Sequence, residues 1–185
     1  MIVGSGLIAR VFKNLKIPDD IIIHASGVSD SSCVSDIEFF REKTLVENSL
    51  RNKKKLFYFS SQSCSNEGLN TPYVIHKRKI EKTILTYSPE NVVIRIPQIA
   101  SRTGNSNNLI HAFYNMLVSG QVITCYNGVQ RNLIKDIHLE IVFNHIIQNS
   151  LSGLLSFSAP HCYTPLEILN SMENISNLKA KVKII

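Results

Sequence analysis

Apolar residues fall in short blocks along the 185-residue chain, and the blocks alternate between two periods. Met1-Ile-Val3, Ile21 to Ala25, Leu56 to Phe59 and Asn91 to Ile96 are short runs dominated by apolar residues, mostly β-branched or aromatic, the pattern of strands buried on both faces of a parallel sheet. Helical spacing follows each of the first three. It runs from Leu7 to about Leu15, then from Asp36 with Ile37, Phe40, Leu45 and Leu50 as apolar positions, then from Pro72 to about Tyr87. Ser35 with Glu38 has the capping-box pattern, and Thr71-Pro72 supplies an N-cap and a proline at the first helical position. Beyond Ile96 the pattern predicts a helix over Leu109–Val118, an extended Val122–Tyr126 and a turn at Asn127-Gly128. A helix from an Asp136 cap to about Asn149, a strand over Leu154–Ser158 and a helix over Pro165–Met172 complete it. Such alternation predicts an α/β fold with a mostly parallel sheet flanked by helices. No repeat, low-complexity segment or linker interrupts it, so one domain over 1–185 is expected.

Composition narrows the partners. The net charge of +6 favours anionic ligands, yet the one dense basic run, Arg51 to Lys55, sits where cations complement the end of a helix dipole. No aromatic residues interleave with basic ones, so nucleic acid is not expected as a partner. No apolar run approaches a membrane span and no leader pattern opens the chain, so no membrane partner and a cytoplasmic location are expected. Cys33, Cys64, Cys125 and Cys162 are scattered without C-x-x-C spacing, which suits reduced thiols. His138 and His145 are seven apart with no third ligand in register, so no metal is expected.

Two motifs carry chemistry. Gly4-Ser5-Gly6-Leu7-Ile8-Ala9 lies between a strand and a helix, where glycines let the backbone approach a pyrophosphate and a small residue lets the helix pack close. The acidic residue expected about 20 positions later, to hold the ribose, is missing, because Asp19 and Asp20 precede the second strand. NAD or NADP is therefore expected as cofactor, without a choice between them; Arg10 and Lys13 suit a 2′-phosphate or an exposed helix surface equally. Tyr73-x-x-x-Lys77 puts a phenol and an ammonium on one helix face. Composition alone yields about 0.4 such pairs by chance. A nearby ammonium would favour the phenolate and suit Tyr73 to proton transfer.

The order of the glycine turn, IIIHASGVS, LFYFSS, PYVIHK, VVIRIPQ and GQVITCYNGVQRNLIKDIHL resembles the extended short-chain dehydrogenase/reductases. Within them it is similar to the branch of nucleotide-sugar epimerases, dehydratases and 4-keto-reductases. The resemblance implies a Rossmann-like sheet with a small substrate-binding lobe formed mainly from about 97–135 and 155–185. It implies catalysis by Ser61, Tyr73 and Lys77. The cofactor would lie along Gly4, Ser5, Gly6, Leu7 and Ile8, then Ala25, Ser26 and Gly27, with Tyr73 and Lys77 at its nicotinamide end. Gln98, Arg131 and Asn108 or Asn107 would face a nucleoside-diphosphate sugar, Arg131 gripping the diphosphate.

Only about a dozen residues separate Ala9 from Ile21, where relatives insert two further strands and a helix, so part of the usual second and third strand region is lacking. The implied activity is NAD(P)-dependent reduction or epimerisation of a nucleotide sugar, in surface-polysaccharide synthesis. The alternative is a non-catalytic dinucleotide-binding or regulatory protein on the same fold. Relatives pair through two helices, which makes 36–51 and 72–87 the expected homodimer surface.

Overall fold

A computed structural model describes residues 1–101 and 108–185. The chain divides into two units, one of Met1–Ile96 with Asp136–Phe157, the other of Pro97–Lys135 with Ser158–Ile185.

The first unit is built on five parallel strands, β1 (Ile2–Val3), β2 (Ile21–His24), β3 (Lys55–Ser61), β4 (Val92–Ile96) and β8 (Gly153–Ser156), adjacent in that order. Its helices are α1 (Leu7–Phe12), α2 (Asp36–Leu50), α3 (Pro72–Tyr87) and α5 (Ile137–Gln148). Side chains alternate between the faces of a strand, and β3 shows which helix covers which face. Leu56 and Tyr58 join Val46 and Leu50 of α2 and Ile80 and Ile84 of α3 in one core cluster. Phe57 and Phe59 point the other way, onto Phe143 of α5 and Phe12 of α1.

This split has a topological consequence. The crossovers β1–α1–β2 and β2–α2–β3 step across the sheet in the same direction with their helices on opposite faces, so they are of opposite hand. Parallel crossovers are right-handed almost without exception. A helix placed like α1 is normal in a doubly wound sheet only when the chain continues to strands on the far side of β1. Here the Lys13–Asp20 segment returns directly to β2, and β1 is the edge strand. The missing second and third strand region is therefore visible as an unreversed strand order.

Local signals explain the helix starts. Thr71 accepts from the Val74 N–H and Pro72 opens α3. Ser35 accepts from the Glu38 N–H, but Glu38 turns to Arg41, so the capping box is one-sided. Helix α1 stops at Phe12, short of Leu15. On α2, Ile37 and Phe40 are 80% and 71% exposed, and the buried face is instead Glu42, Val46, Ser49 and Leu50.

The second unit packs α4 (Leu109–Val118) and α6 (Pro165–Ser176) around Phe113, Leu117, Ile123, Cys125, Ile168 and Leu169. Strand β7 (Arg131–Lys135) lies between β5 (Gln98–Ala100) and β9 (Cys162–Tyr163), while β6 (Val122–Cys125) pairs with β10 (Lys181–Ile184). No described helix is long and apolar enough to cross a membrane.

Candidate functional site

The carboxyl ends of β1, β2 and β3 open on one rim of the first sheet, the place where parallel α/β sheets bind ligands. The glycine turn follows β1. Gly4 has a φ of +122°, and a Cβ there would stand 2.5 Å from the Ala25 carbonyl oxygen, so only glycine lets the turn close against β2. Gly6 is different: a Cβ on it would meet nothing within 4 Å, and Gly4, Ser5 and Gly6 are all exposed. Leu7 and Ile8 are half-buried. Beyond β2, Ala25, Ser26 and Gly27 are half-buried, and Arg41 of α2 donates to both the carbonyl and the hydroxyl oxygen of Ser26.

Ser61 ends β3, and its hydroxyl oxygen accepts from the Ser63 N–H at 3.2 Å, capping a single 3-10 turn over Gln62–Ser65. Tyr73 and Lys77 stand one turn apart on the face of α3 turned inward, only 6% and 2% exposed. The pair is therefore no solvated helix surface. Tyr73 packs with Val28, Cys64 and Val74. Burial pushes its phenol well above the ordinary tyrosine value, a hydrogen bond with Ser61 pulls the other way, and the negative charges nearby, Glu42 among them, push it further up.

Lys77 does not send its hydrogen bonds to Tyr73. Its Nζ donates to Glu42 Oε1 at 2.8 Å and to the Tyr58 hydroxyl at 3.0 Å, and lies 5.6 Å from the centre of the Tyr73 ring. Tyr58 in turn donates to the same Glu42 oxygen at 2.6 Å. Glu42 Oε2 accepts from the Val28 N–H and stands 2.9 Å from His76 Nε2. Burial opposes the Glu42 charge most strongly. The His76 hydrogen bond, the Lys77 charge and hydrogen bond, and the Tyr58 hydroxyl overcome it and hold the carboxyl well below the usual range.

His24, the last residue of β2, closes the cluster from below. Ser49 gives its proton to the Leu45 carbonyl, so its oxygen accepts from His24 Nδ1 at 3.1 Å. His24 Nε2 is buried with no hydrogen-bond partner. Burial first, offset by Glu42 and reinforced by Lys77 and Arg41, lowers its pKa to about 4.

Glu42, Tyr58, His76 and Arg41 were not singled out by sequence reasoning. A signal existed for Glu42: it lies four and eight positions before Val46 and Leu50, so helical period puts a carboxylate on the core face, where it requires a buried partner.

The residues expected to face a sugar nucleotide belong to the second unit. Arg131 is exposed at the start of β7, Gln98 is half-buried at the start of β5, and Asn108 caps α4 while donating to the Ile99 carbonyl. Asn107 lies outside the described residues. Among the described residues no cluster of three or more His, Cys, Asp or Glu side chains suits a metal.

The fold is shared with solved nucleotide-sugar epimerases and reductases. UDP-glucose 4-epimerase from Thermus thermophilus, solved with NAD, superposes with a TM-score of 0.74 at 16% identity, over 95% of this chain and 67% of that one. The dTDP-4-dehydrorhamnose reductase of Bacillus anthracis, with NADP, gives 0.73 at 16% identity over 96% and 69%. UDP-glucuronic acid 4-epimerase from Bacillus cereus, with NAD, gives 0.73 at 15% over 98% and 65%. The chain thus spans about two thirds of the length of these enzymes. No protein-family model and no curated protein sequence matches it.

The residues present fit a dinucleotide in part. The open side of Gly6 leaves room for a phosphate-bearing ligand, whereas Lys77 is buried and gives two of its three N–H donors to Glu42 and Tyr58. Among the described residues no strand pairs with the outer edge of β1, where further strands would support an adenosine.

Proposed function

We propose that the chain is an NAD(P)-dependent oxidoreductase acting on a nucleoside-diphosphate sugar, with reduction of a 4-keto group as its reaction. The observation that carries this reading is the hydrogen bond between Tyr73 and Ser61 at the end of β3, with Lys77 one turn along the same buried face of α3. A bound nicotinamide would supply the hydride. Tyr73 would give its proton to the ketone oxygen, and Ser61 would hydrogen-bond that oxygen and orient it. Lys77 would hold the ribose and keep the helix turn in register. Gly4, Ser5, Gly6, Leu7 and Ile8 would bind the pyrophosphate side, with Ala25, Ser26 and Gly27 along its path. Gln98, Asn108 and Arg131 would bind the sugar nucleotide. Service in surface-polysaccharide synthesis in the cytoplasm, and pairing of two copies through 36–51 and 72–87, complete the proposal; the exposed Ile37, Phe40 and Ile75 support the pairing.

A second reading is favoured by one specific observation, the edge position of β1, with no strand beyond it among the described residues. On that reading the chain binds a dinucleotide without catalysis. Calorimetric titration with NADH, NADPH and a panel of UDP- and dTDP-sugars separates the two. Binding of both classes of ligand supports the oxidoreductase; binding of the dinucleotide alone supports the second reading.

A further inference from the structure

We propose that Glu42 is a positioning residue of the Tyr73 centre. By holding the Lys77 ammonium against itself and Tyr58, it withholds that charge from Tyr73 and so adds to burial in keeping the phenol protonated, as a group that gives a proton to a substrate oxygen. The proposal deepens the oxidoreductase reading and rests on it for the substrate, while the ion-pair geometry stands without it.

Glu42 has no exposed surface, and it shares the buried face of its helix with Val46, Ser49 and Leu50. A buried carboxylate without partners would be strongly destabilising. This one has a partner for every face: Tyr58 and Lys77 on one oxygen, the Val28 N–H and His76 on the other. Gly27 makes room for it, since a Cβ there would stand 2.7 Å from both Glu42 Oε1 and Lys77 Nζ. An ammonium matched by a carboxylate at 2.8 Å presents little net field to a phenol farther away. The titratable and charged groups around the centre are His24 from β2, Asp30 from the following loop, Arg41 and Glu42 from α2, Tyr58 from β3, Cys64 from the 3-10 turn, and His76, Lys77 and Glu81 from α3 itself, with Glu81 engaged by Ser60 and Arg95. Of these, Glu42 is the one placed to cancel Lys77.

Glu42→Gln keeps the shape and removes the charge. Tyr73 ionisation is read as the pH-dependent phenolate absorbance of each protein minus that of its Tyr73→Phe counterpart. In Glu42→Gln the Tyr73 midpoint is expected to fall by about one pH unit or more, a tenfold easier ionisation. The double variant Glu42→Gln/Lys77→Gln should lose that gain. An unmoved midpoint in folded Glu42→Gln, or an equal gain in the double variant, overturns the proposal. Should Glu42→Gln not fold, the wild-type protein decides by nitrogen-detected NMR of its lysine ammonium groups. A slowly exchanging signal that disappears in Lys77→Arg supports the anchored pair, and its absence overturns it. Neither readout uses a dinucleotide or a sugar, so failure of those ligands to bind would count against the functional reading alone.

Discussion

The Lys77 ammonium and the Glu42 carboxylate meet at 2.8 Å with neither side chain more than 3% exposed. Removing one partner of such a pair strands the other charge in a low-dielectric interior. Lys77→Met is therefore expected to cost about 3–5 kcal/mol, measured as a lowered urea midpoint at pH 7. The double variant Glu42→Gln/Lys77→Met should recover much of that loss. A single variant as stable as the wild type would contradict the buried pair.

His24 makes stability fall in mildly acidic solution. Its folded pKa of about 4 lies below the ordinary 6.5, so the unfolded chain takes up the proton first. The stabilising contribution is full above pH 6.5 and is lost as pH falls towards 4, by about 3 kcal/mol over the window. Glu42 contributes in the same direction only below its unfolded value of 4.5. Urea denaturation at pH 7 and pH 5 should show the drop in the wild type and a smaller one in His24→Phe.

The three glycines of the rim should respond differently to alanine. Gly4→Ala meets both a φ of +122° and the Ala25 carbonyl at 2.5 Å, and should cost about 1–3 kcal/mol. Gly27→Ala must push apart Glu42 and Lys77, and a loss of the same order is expected. Gly6→Ala meets nothing and should leave the thermal midpoint near that of the wild type, while weakening dinucleotide binding in titration.

Tyr73→Phe removes the hydroxyl and its hydrogen bond with Ser61, while the ring keeps its packing against Val28, Cys64 and Val74. On the proposed function, turnover should fall by about 10²–10⁴-fold with dinucleotide affinity nearly intact. Turnover equal to that of the wild type would remove Tyr73 from the mechanism.

The chain order of the strands and helices of the first sheet, the N-cap at Thr71 and the placing of Tyr73 and Lys77 on one helix face could all be read from the sequence, because they rest on periodicity and on residues close in the chain. So could the gap after the glycine turn, since a dozen residues cannot hold two strands and a helix. The state of the Tyr73 centre was not readable in this way. Lys77 meets Glu42 across 35 positions and Tyr58 across 19, and His24 meets Ser49 across 25. Local pattern does not specify such contacts: they follow from which face of each helix turns inward once the sheet forms. The same holds for Ile37 and Phe40, apolar in sequence yet left outside while a carboxylate went in. The sequence by itself determined the helices and the strands of the first sheet and the chemistry they could carry, while β5, β7, β9 and β10 of the second unit, short or without a clear apolar pattern, emerged only from their pairing. Tertiary packing decided which charge neutralises which, because electrostatic partners are chosen by proximity in a desolvated interior, not by spacing along the chain.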